Sequence, residues 1–554
     1  MSFYRWIVLP ITIILLYYSS LFSELCIIDD DTLINSLRGV KGLDFKALFI
    51  PDADRGGYYR PVLMLSFILE RHLHDLHLPF MHLMNILLHS FNSILVYQVV
   101  LRIRNSQKVA LFTALVFGIH PLATESVNWI SGRTDLLAGT FVLLSCLFII
   151  LYRESFRFFY IPLSIISLIL GMLSKEVAVG FLPAALLLFI AKRDEKNSLK
   201  DLIVVSLFVL AAGLIYYVLR DLTFNPDPRI KRTFQMIQRG DSHVWYQFLA
   251  GIGFYIKKIF VPYPLNVAIT EVDPLYGPLL GIPALLLSIF FLYRRTVLSV
   301  LFITGLFLIL PSLPLTLSQI AWTPFAERYA YLPMAFILMA SILWLERNLI
   351  FPSPMIRNIV VSLIILCLSI YTFSRNLTWQ SNYSLIQDTI KKSPDFKEAQ
   401  LLWGGLLMNE KRYDEAIYYF KKASEHFFFG YDERPDLYMA EAYLLKGDMI
   451  EASRLVDRIL QKTKGKSINA LKLKLKLLYR EVNYNSNRLS ELKVTGNKLF
   501  ELTNDPMILY EIGKVYIYQN KVKEAKEFFC KAREKFAPQD PYRSFSDRLC
   551  RGGR

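Results

Sequence analysis

The sequence predicts an all-α chain in two parts: a polytopic membrane helix bundle of about eleven spans, then an α-helical repeat array. Three observations carry that expectation. Apolar runs close to the ~17–25 residues that cross a bilayer recur through the first 375 positions. After Phe373 the composition turns charged and soluble. From Trp403 onward, small and aromatic residues return at the period of stacked helix pairs. Over the whole chain of 554 residues, 54% are hydrophobic and the mean hydropathy is +0.35, high for a soluble protein.

The apolar runs lie near 5–22, 80–102, 107–120, 135–152, 160–173, 177–191, 201–220, 276–293, 297–313, 330–346 and 356–374. The third and fifth are short, and each ends at a polar cluster, as spans do when they stop at a buried site. Trp6 to Phe22 follows Arg5, and no small-x-small cleavage site follows Ser23-Glu24-Leu25-Cys26, so this run reads as a retained first span. Basic residues in short loops set the orientation. Arg102, Arg104 and Lys108, Arg153 and Arg157, Lys192, Arg193, Lys196 and Lys200, Arg294 and Arg295, and Arg347 and Arg357 all fall on one side if the N-terminus is cytoplasmic. The loops 23–79 and 221–275 then face outward, and an odd number of spans puts the C-terminal part outward too. Within 23–79, Val62, Leu65, Leu69 and Leu73 form a stripe suited to a helix lying at the interface. His243 to Phe260 is either a second interfacial helix or a twelfth span; Arg294-Arg295 argues for the former.

The domain expectation is 1–375 for the membrane part, 376–540 for the repeats and 541–554 for a basic, frayed tail. Trp403, Gly404, Tyr413, Ala416, Phe420 and Ala423 fit the tetratricopeptide pattern, and Ala440, Gly447 and Ala452 repeat it. It returns at Gly513, Tyr516, Ala525, Phe529 and Ala532, which leaves a degenerate repeat at 467–500. Stacked pairs of this kind bury their faces on each other.

The net charge of +16 is explained by cytoplasmic loops and anionic headgroups and does not call for nucleic acid. Cys26, Cys146, Cys367, Cys530 and Cys550 show no metal-binding spacing. Cys530 and Cys550 share the soluble part, and the sequence leaves their pairing open. Walker, GxGxxG, GxSxG and HExxH motifs are absent. Asn376-Leu377-Thr378 and Asn382-Tyr383-Ser384 match the N-glycosylation pattern.

Five polar clusters interrupt the apolar runs. Asp29, Asp30 and Asp31 follow the first run; adjacent carboxylates raise one another's pKa, as a general base requires, or they cap the next helix. His120-Pro121, Glu125, Trp129, Arg133 and Asp135 lie between the third and fourth runs, where ionisable side chains are costly and usually functional. Glu125, Trp129 and Arg133 share one face of a continuous helix, with a structural Glu125–Arg133 pair as the bland alternative. Ser174-Lys175-Glu176 is either a polar turn or a phosphate contact. Glu327-Arg328-Tyr329 leads into the tenth run, and Tyr58-Tyr59-Arg60-Pro61 closes the first loop. His82, Asn85 and His89 along the second run read as packed helix residues. All five clusters share the outward face in the orientation that satisfies the charge rule.

Together, Ile27-Ile28-Asp29-Asp30, Tyr59-Arg60-Pro61, His120-Pro121 with Glu125 to Ile130, Gly132-Arg133-Thr134-Asp135, Ser174-Lys175, Glu327-Arg328-Tyr329 and Tyr331-Leu332-Pro333 resemble the transmembrane and tetratricopeptide repeat (TMTC) proteins. These are GT-C type O-mannosyltransferases. The resemblance runs from the first span through the repeats, with fewer repeats than many relatives. It implies a GT-C bundle around an outward site, with Asp29 and Asp30 in the place of the catalytic acidic pair. It implies Arg60, His120, Glu125, Arg133, Asp135, Lys175 and Arg328 as residues for the lipid phosphate and substrate. The donor it implies is a polyprenyl-phosphate sugar, mannose or another hexose, with no metal or other cofactor. The acceptor it implies is a Ser or Thr hydroxyl of a protein or peptide held by the repeats. The expected location is a bacterial inner membrane with periplasmic repeats, or an endoplasmic reticulum membrane with lumenal ones. Three other classes compete: an enzyme acting on a glycolipid, a non-enzymatic membrane-anchored repeat scaffold, and a transporter or flippase. Eleven spans with embedded charges exceed what an anchor needs, and a transporter predicts charges strung through the bundle, not gathered on one face.

Overall fold

The computed structural model describes residues 3–38, 42, 44, 48–49, 59–191, 199–222, 228–240, 242–318, 323–425, 431–482 and 486–551. The chain is all-α: among the described residues the sole β interaction is an isolated antiparallel bridge between Ile269 and Phe325. It divides into two compact units, Met1–Ser393 and Pro394–Arg554. Tyr58 and the basic Lys192, Arg193 and Lys196 lie outside the described residues.

The first unit runs α1 (Phe3–Leu16), α2 (Asp30–Arg38), α3 (Pro61–His74), α4 (Leu78–Arg104), α5 (Gln107–Gly118), α6 (Thr124–Asn128), α7 (Arg133–Ser155), α8 (Tyr160–Ser174) and α9 (Phe181–Ile190). It continues through α10 (Leu199–Asp221), α11 (Pro228–Gln238), α12 (Ser242–Phe260), α13 (Tyr276–Arg294), α14 (Val297–Ile309), α15 (Leu315–Ser318), α16 (Tyr331–Asn348), α17 (Pro354–Thr378) and α18 (Asn382–Lys392). Proline opens α3, whose ring needs no donated amide in the first turn, and Asp75 in the left-handed region closes it.

Among the described residues, six stretches are long and apolar enough to cross a membrane: Leu78–Arg104, Ile130–Ser155, Leu202–Asp221, Tyr276–Arg294, Glu327–Asn348 and Pro354–Thr378. Gln107–Gly118 and Pro121–Asn128 form a pair bent by 47°, and Ile7–Leu16, Tyr160–Ser174, Glu176–Ile190 and Val297–Ser312 are shorter apolar helices. These occupy the eleven stretches marked by hydropathy, so each expected span is a helix while five of them are too short or too bent to be straight crossings. Shortness has a local cause: polar breaks at His120, Lys175 and the 310 turn Leu310–Ser312 end them. The segment 243–260 is helical as α12 and packs along α13.

Helix α3 differs from its expected stripe. Val62, Leu63, Phe67, Ile68 and Glu70 are buried, whereas Leu69 and Leu73 are exposed. The helix lies over α7 and α8, and its inward face is the one that carries Glu70 to a buried partner.

One end of this unit is closed by a corner. The Asn128 amide donates to Asn376 Oδ1 at 2.9 Å, and Asn376 donates to the Leu16 carbonyl at 3.0 Å. Asn382 accepts the Ile27 N–H at 2.8 Å and its own N–H meets Glu24 at 2.9 Å. Asn376 is fully buried and both sequon amides are engaged, so they serve the fold rather than present a glycan. The start of the first loop, the α6 break and the α17–α18 turn therefore share one end, where the chain leaves the unit.

The second unit is four successive helix pairs and a final helix: α19 (Lys397–Asn409) with α20 (Tyr413–Glu425), α21 (Arg434–Lys446) with α22 (Met449–Lys462), α23 (Ile468–Val482) with α24 (Leu489–Thr503), α25 (Pro506–Tyr518) with α26 (Val522–Lys535), and α27 (Pro541–Arg551). A Cβ at Gly404 would meet the Phe420 ring at 2.3 Å, and one at Gly513 would meet Phe529 at 2.9 Å, so the first and last pairs cross by the same device. The third pair fills the place of the degenerate repeat. The expected frayed tail is corrected for 541–551: α27 packs on α26 and is tied to it by a Cys530–Cys550 disulfide.

Candidate active site

The five polar clusters sit where helices break. Asp29 precedes α2, Arg60 caps α3, Lys175 separates α8 from the 310 turn Glu176–Gly180, and Arg328 lies in the 310 turn Glu327–Ala330 that opens α16. The decisive break is at Trp129. Helix α6 stops at Asn128, Trp129 is extended at φ −80 and ψ 124, and a 310 turn Ile130–Gly132 leads into α7. A side chain at Gly132 would stand 2.7 Å from the Ser126 carbonyl, which is why the turn folds so tightly onto α6. The expected single face of Glu125, Trp129 and Arg133 therefore does not exist. Glu125 and Trp129 go to the rim and Arg133 goes to the interior.

Asp29 and Asp30 separate in the same way. Asp30 is 1% exposed, and both oxygens are taken: Oδ1 accepts from the Ser131 N–H at 3.1 Å and hydroxyl at 2.7 Å, and Oδ2 from the Cys26 N–H at 3.1 Å. Burial pushes its carboxyl up to about 6; the neighbouring Asp29 charge adds to this while the Ser131 and Cys26 donors oppose it. Asp29 is exposed. Its Oδ1 accepts the Trp129 indole N–H at 2.9 Å. Surrounding protein still desolvates it enough to raise its carboxyl, against the lowering effects of Ser131, Arg328, Trp129 and Arg60. An accessible carboxylate with a raised pKa beside two arginines is suited to accept a proton.

The cations around Asp29 are graded by burial. Arg328 is held by Glu125, whose carboxylate takes both its guanidinium and its backbone N–H, the latter at 3.0 Å. It stacks between Trp129, 4.8 Å from the ring centroid, and Tyr329, at 4.9 Å. Glu125 binds only one guanidinium nitrogen, so the Nε–NH2 edge keeps no carboxylate partner among the described residues. Arg60 pairs with Glu176 at 2.9 Å, and both keep about a fifth of their side chains accessible, 19% and 24%. Lys175 is buried, its ammonium 2.6 Å from both Asp135 oxygens and 5.0 Å from the Tyr329 ring centroid.

Two predicted residues stand elsewhere. Arg133 is fully buried: it pairs with Glu70 at 2.9 Å, donates to Asn85 Oδ1 at 2.8 Å and to the Met81 carbonyl at 3.0 Å, and lies over Phe67. His120 is buried with one ring nitrogen on the Ile259 carbonyl and the other on the Leu122 N–H. The structure gives both a part in holding the bundle, with no surface turned to the rim. The sequence reading missed Glu70 and Asn85 as partners of Arg133, and Ser131 as the clamp on Asp30. A lone acid in the apolar stripe of α3 was the available signal for Glu70. Arg220 and Tyr216 at the end of α10, 3.1 Å apart, join the same electrostatic cluster through Glu176.

Among the described residues, no group of three His, Cys, Asp or Glu is placed to hold a metal ion. Residues 76–219 match the family model described as dolichyl-phosphate-mannose-protein mannosyltransferase. The chain is similar to TMTC proteins. It is 24% identical over 414 residues to the human protein O-mannosyl-transferase TMTC3, covering 66% of this chain and 44% of that one. It is 23% identical over 407 residues to the Caenorhabditis elegans protein O-mannosyl-transferase F38B6.6, covering 68% and 56%. A shorter stretch of 145 residues is 34% identical to human TMTC4, covering 22% and 20%. The chain thus spans about half the length of the first two of these relatives. With its apolar helices, the similarity makes it an integral membrane protein.

Proposed function

We propose that the chain is a GT-C glycosyltransferase that moves a hexose, in the first instance mannose, from a polyprenyl-phosphate carrier to the hydroxyl of a Ser or Thr in a protein. The observation that supports it most is the juxtaposition of an accessible carboxylate, Asp29, with an arginine, Arg328, whose outer edge meets only the Tyr329 hydroxyl, at 3.4 Å, and is suited to a phosphate; Trp129 touches both. The acceptor hydroxyl attacks the sugar C1 as the bond from C1 to the phosphate oxygen breaks, in one inverting displacement. Asp29 takes the hydroxyl proton, and the polyprenyl phosphate leaves as an anion whose growing charge Arg328 stabilises, with Arg60 beside it. Asp30, with both oxygens committed, closes the loop that presents Asp29. Lys175 with Asp135, and Arg133 with Glu70, hold the walls. The repeats bind the acceptor or a partner protein. The non-cytoplasmic placement is supported by the Cys530–Cys550 disulfide, which forms in oxidising compartments.

The test is reconstitution of the full chain in nanodiscs with radiolabelled polyprenyl-phosphate mannose and a Ser/Thr-rich peptide. Label should pass to the peptide and be lost on β-elimination, while a nucleotide-linked mannose should give none. Transfer from the nucleotide sugar alone would refute the lipid-phosphate reading.

A further inference from the structure

Among the residues around Asp29, Trp129 is the one whose two ends do different jobs. Its indole N–H holds Asp29 Oδ1 at 2.9 Å, and its ring face carries the Arg328 guanidinium 4.8 Å from the centroid. Its own position is fixed from three sides. Trp379, just past α17, stacks on it with centroids 6.4 Å apart and planes 29° apart. The Asn85 amide donates to the Trp129 carbonyl at 3.0 Å, and the same Asn85 is held by Arg133. The tight Gly132 turn follows directly. The ring is 5% exposed.

We infer that Trp129 is a positioning residue that sets the distance and orientation between the proton acceptor and the phosphate-holding arginine. This rests on the proposed transfer reaction. The physical argument has two separable parts. An N–H bond to an ionised carboxylate favours the charged form and fixes which oxygen faces the substrate. A ring beneath a guanidinium keeps its plane, and so the edge it offers a phosphate, in one orientation. One rigid side chain makes the two adjustments together, so a shift of the indole misaligns both halves of the reaction. Groups facing Asp29 besides Trp129 are Arg60, Arg328, Ser131 and Asp30.

Two variants of the full-length protein separate the parts. Trp129→Phe keeps a ring under Arg328 and removes the N–H. Its donor KM should stay within about threefold of wild type, while kcat at neutral pH falls roughly 10-fold or more because the carboxylate loses its fixed orientation, and the acidic limb of the pH profile moves to higher pH. Trp129→Leu removes both contacts, and its donor KM should also rise by roughly 3- to 30-fold. A Phe variant with wild-type kcat and pH profile overturns the inference, as does a Leu variant whose donor KM matches that of Phe. If the Leu protein does not assemble, the Phe variant decides alone. Asp29→Asn run alongside keeps the two ideas apart: an active Asp29→Asn removes the reaction scheme itself, whereas a dead Asp29→Asn with a normal Trp129→Phe removes only this role.

Discussion

Asp29 and Asp30 are chemically identical neighbours with different surroundings, and the difference separates the roles proposed for them. Asp30 meets three donors and is sealed; Asp29 meets the Trp129 indole and stays open. Asp29 works as a base only when ionised, so activity should fall as pH drops through its raised pKa. Arg328 lowers that pKa, so removing the charge raises it. In Arg328→Gln the acidic limb of kcat against pH should therefore lie at higher pH than in wild type, with a donor KM raised at least tenfold. An unmoved limb would mean that Arg328 does not act on Asp29. At this scale the sequence marked the polar residues interrupting the apolar runs, and Asp29, Arg60 and Arg328 lie together with Lys175 buried beneath them on Asp135. It could not rank Asp29 over Asp30, because the ranking comes from Ser131 and the Cys26 amide, contacts made only after folding.

Helix breaks are the elements that build the site. Extrapolating a helix through Trp129 put Arg133 on the rim. The chain instead turns at Trp129 and delivers Arg133 into α3 and α4, where Glu70 and Asn85 receive it. The period of the hydrophobic pattern does not register the short break from Trp129 to Gly132, because the residues across it stay apolar or small. The α3 stripe failed for a related reason: the residue that decides which face is buried is the polar Glu70, not the apolar ones around it. The Arg133–Glu70 pair gives a test of the revised placement. Glu70→Ala leaves a buried guanidinium without its carboxylate, which costs about 3–5 kcal/mol. The detergent-solubilised variant should lose several degrees in melting temperature by fluorescence-detected size exclusion. A melting curve equal to wild type would place Arg133 in water after all.

For the whole molecule, hydropathy located every apolar helix of the first unit, and residue periodicity located the helix pairs of the second. These are properties of single segments, so a single sequence carries them. The α17–α18 corner was not legible. Asn376 and Asn382 read as glycosylation signals, whereas they tie the end of α1 and the first loop to the last helices of the unit over more than 350 residues of chain. That corner puts the last helices of the first unit at the same end as Asp29. It also brings Trp379 against Trp129, so the end of the membrane unit supports the residue between base and arginine.

The claim that matters most is that Asp29 receives the acceptor proton. Single-turnover transfer from polyprenyl-phosphate mannose, measured on nanodisc-reconstituted Asp29→Asn and Asp30→Asn beside wild type, tests it most directly. Asp29→Asn should lose roughly 10²–10⁴-fold with normal assembly, and Asp30→Asn should lose less, in step with its reduced stability. Wild-type rates in Asp29→Asn would contradict that claim.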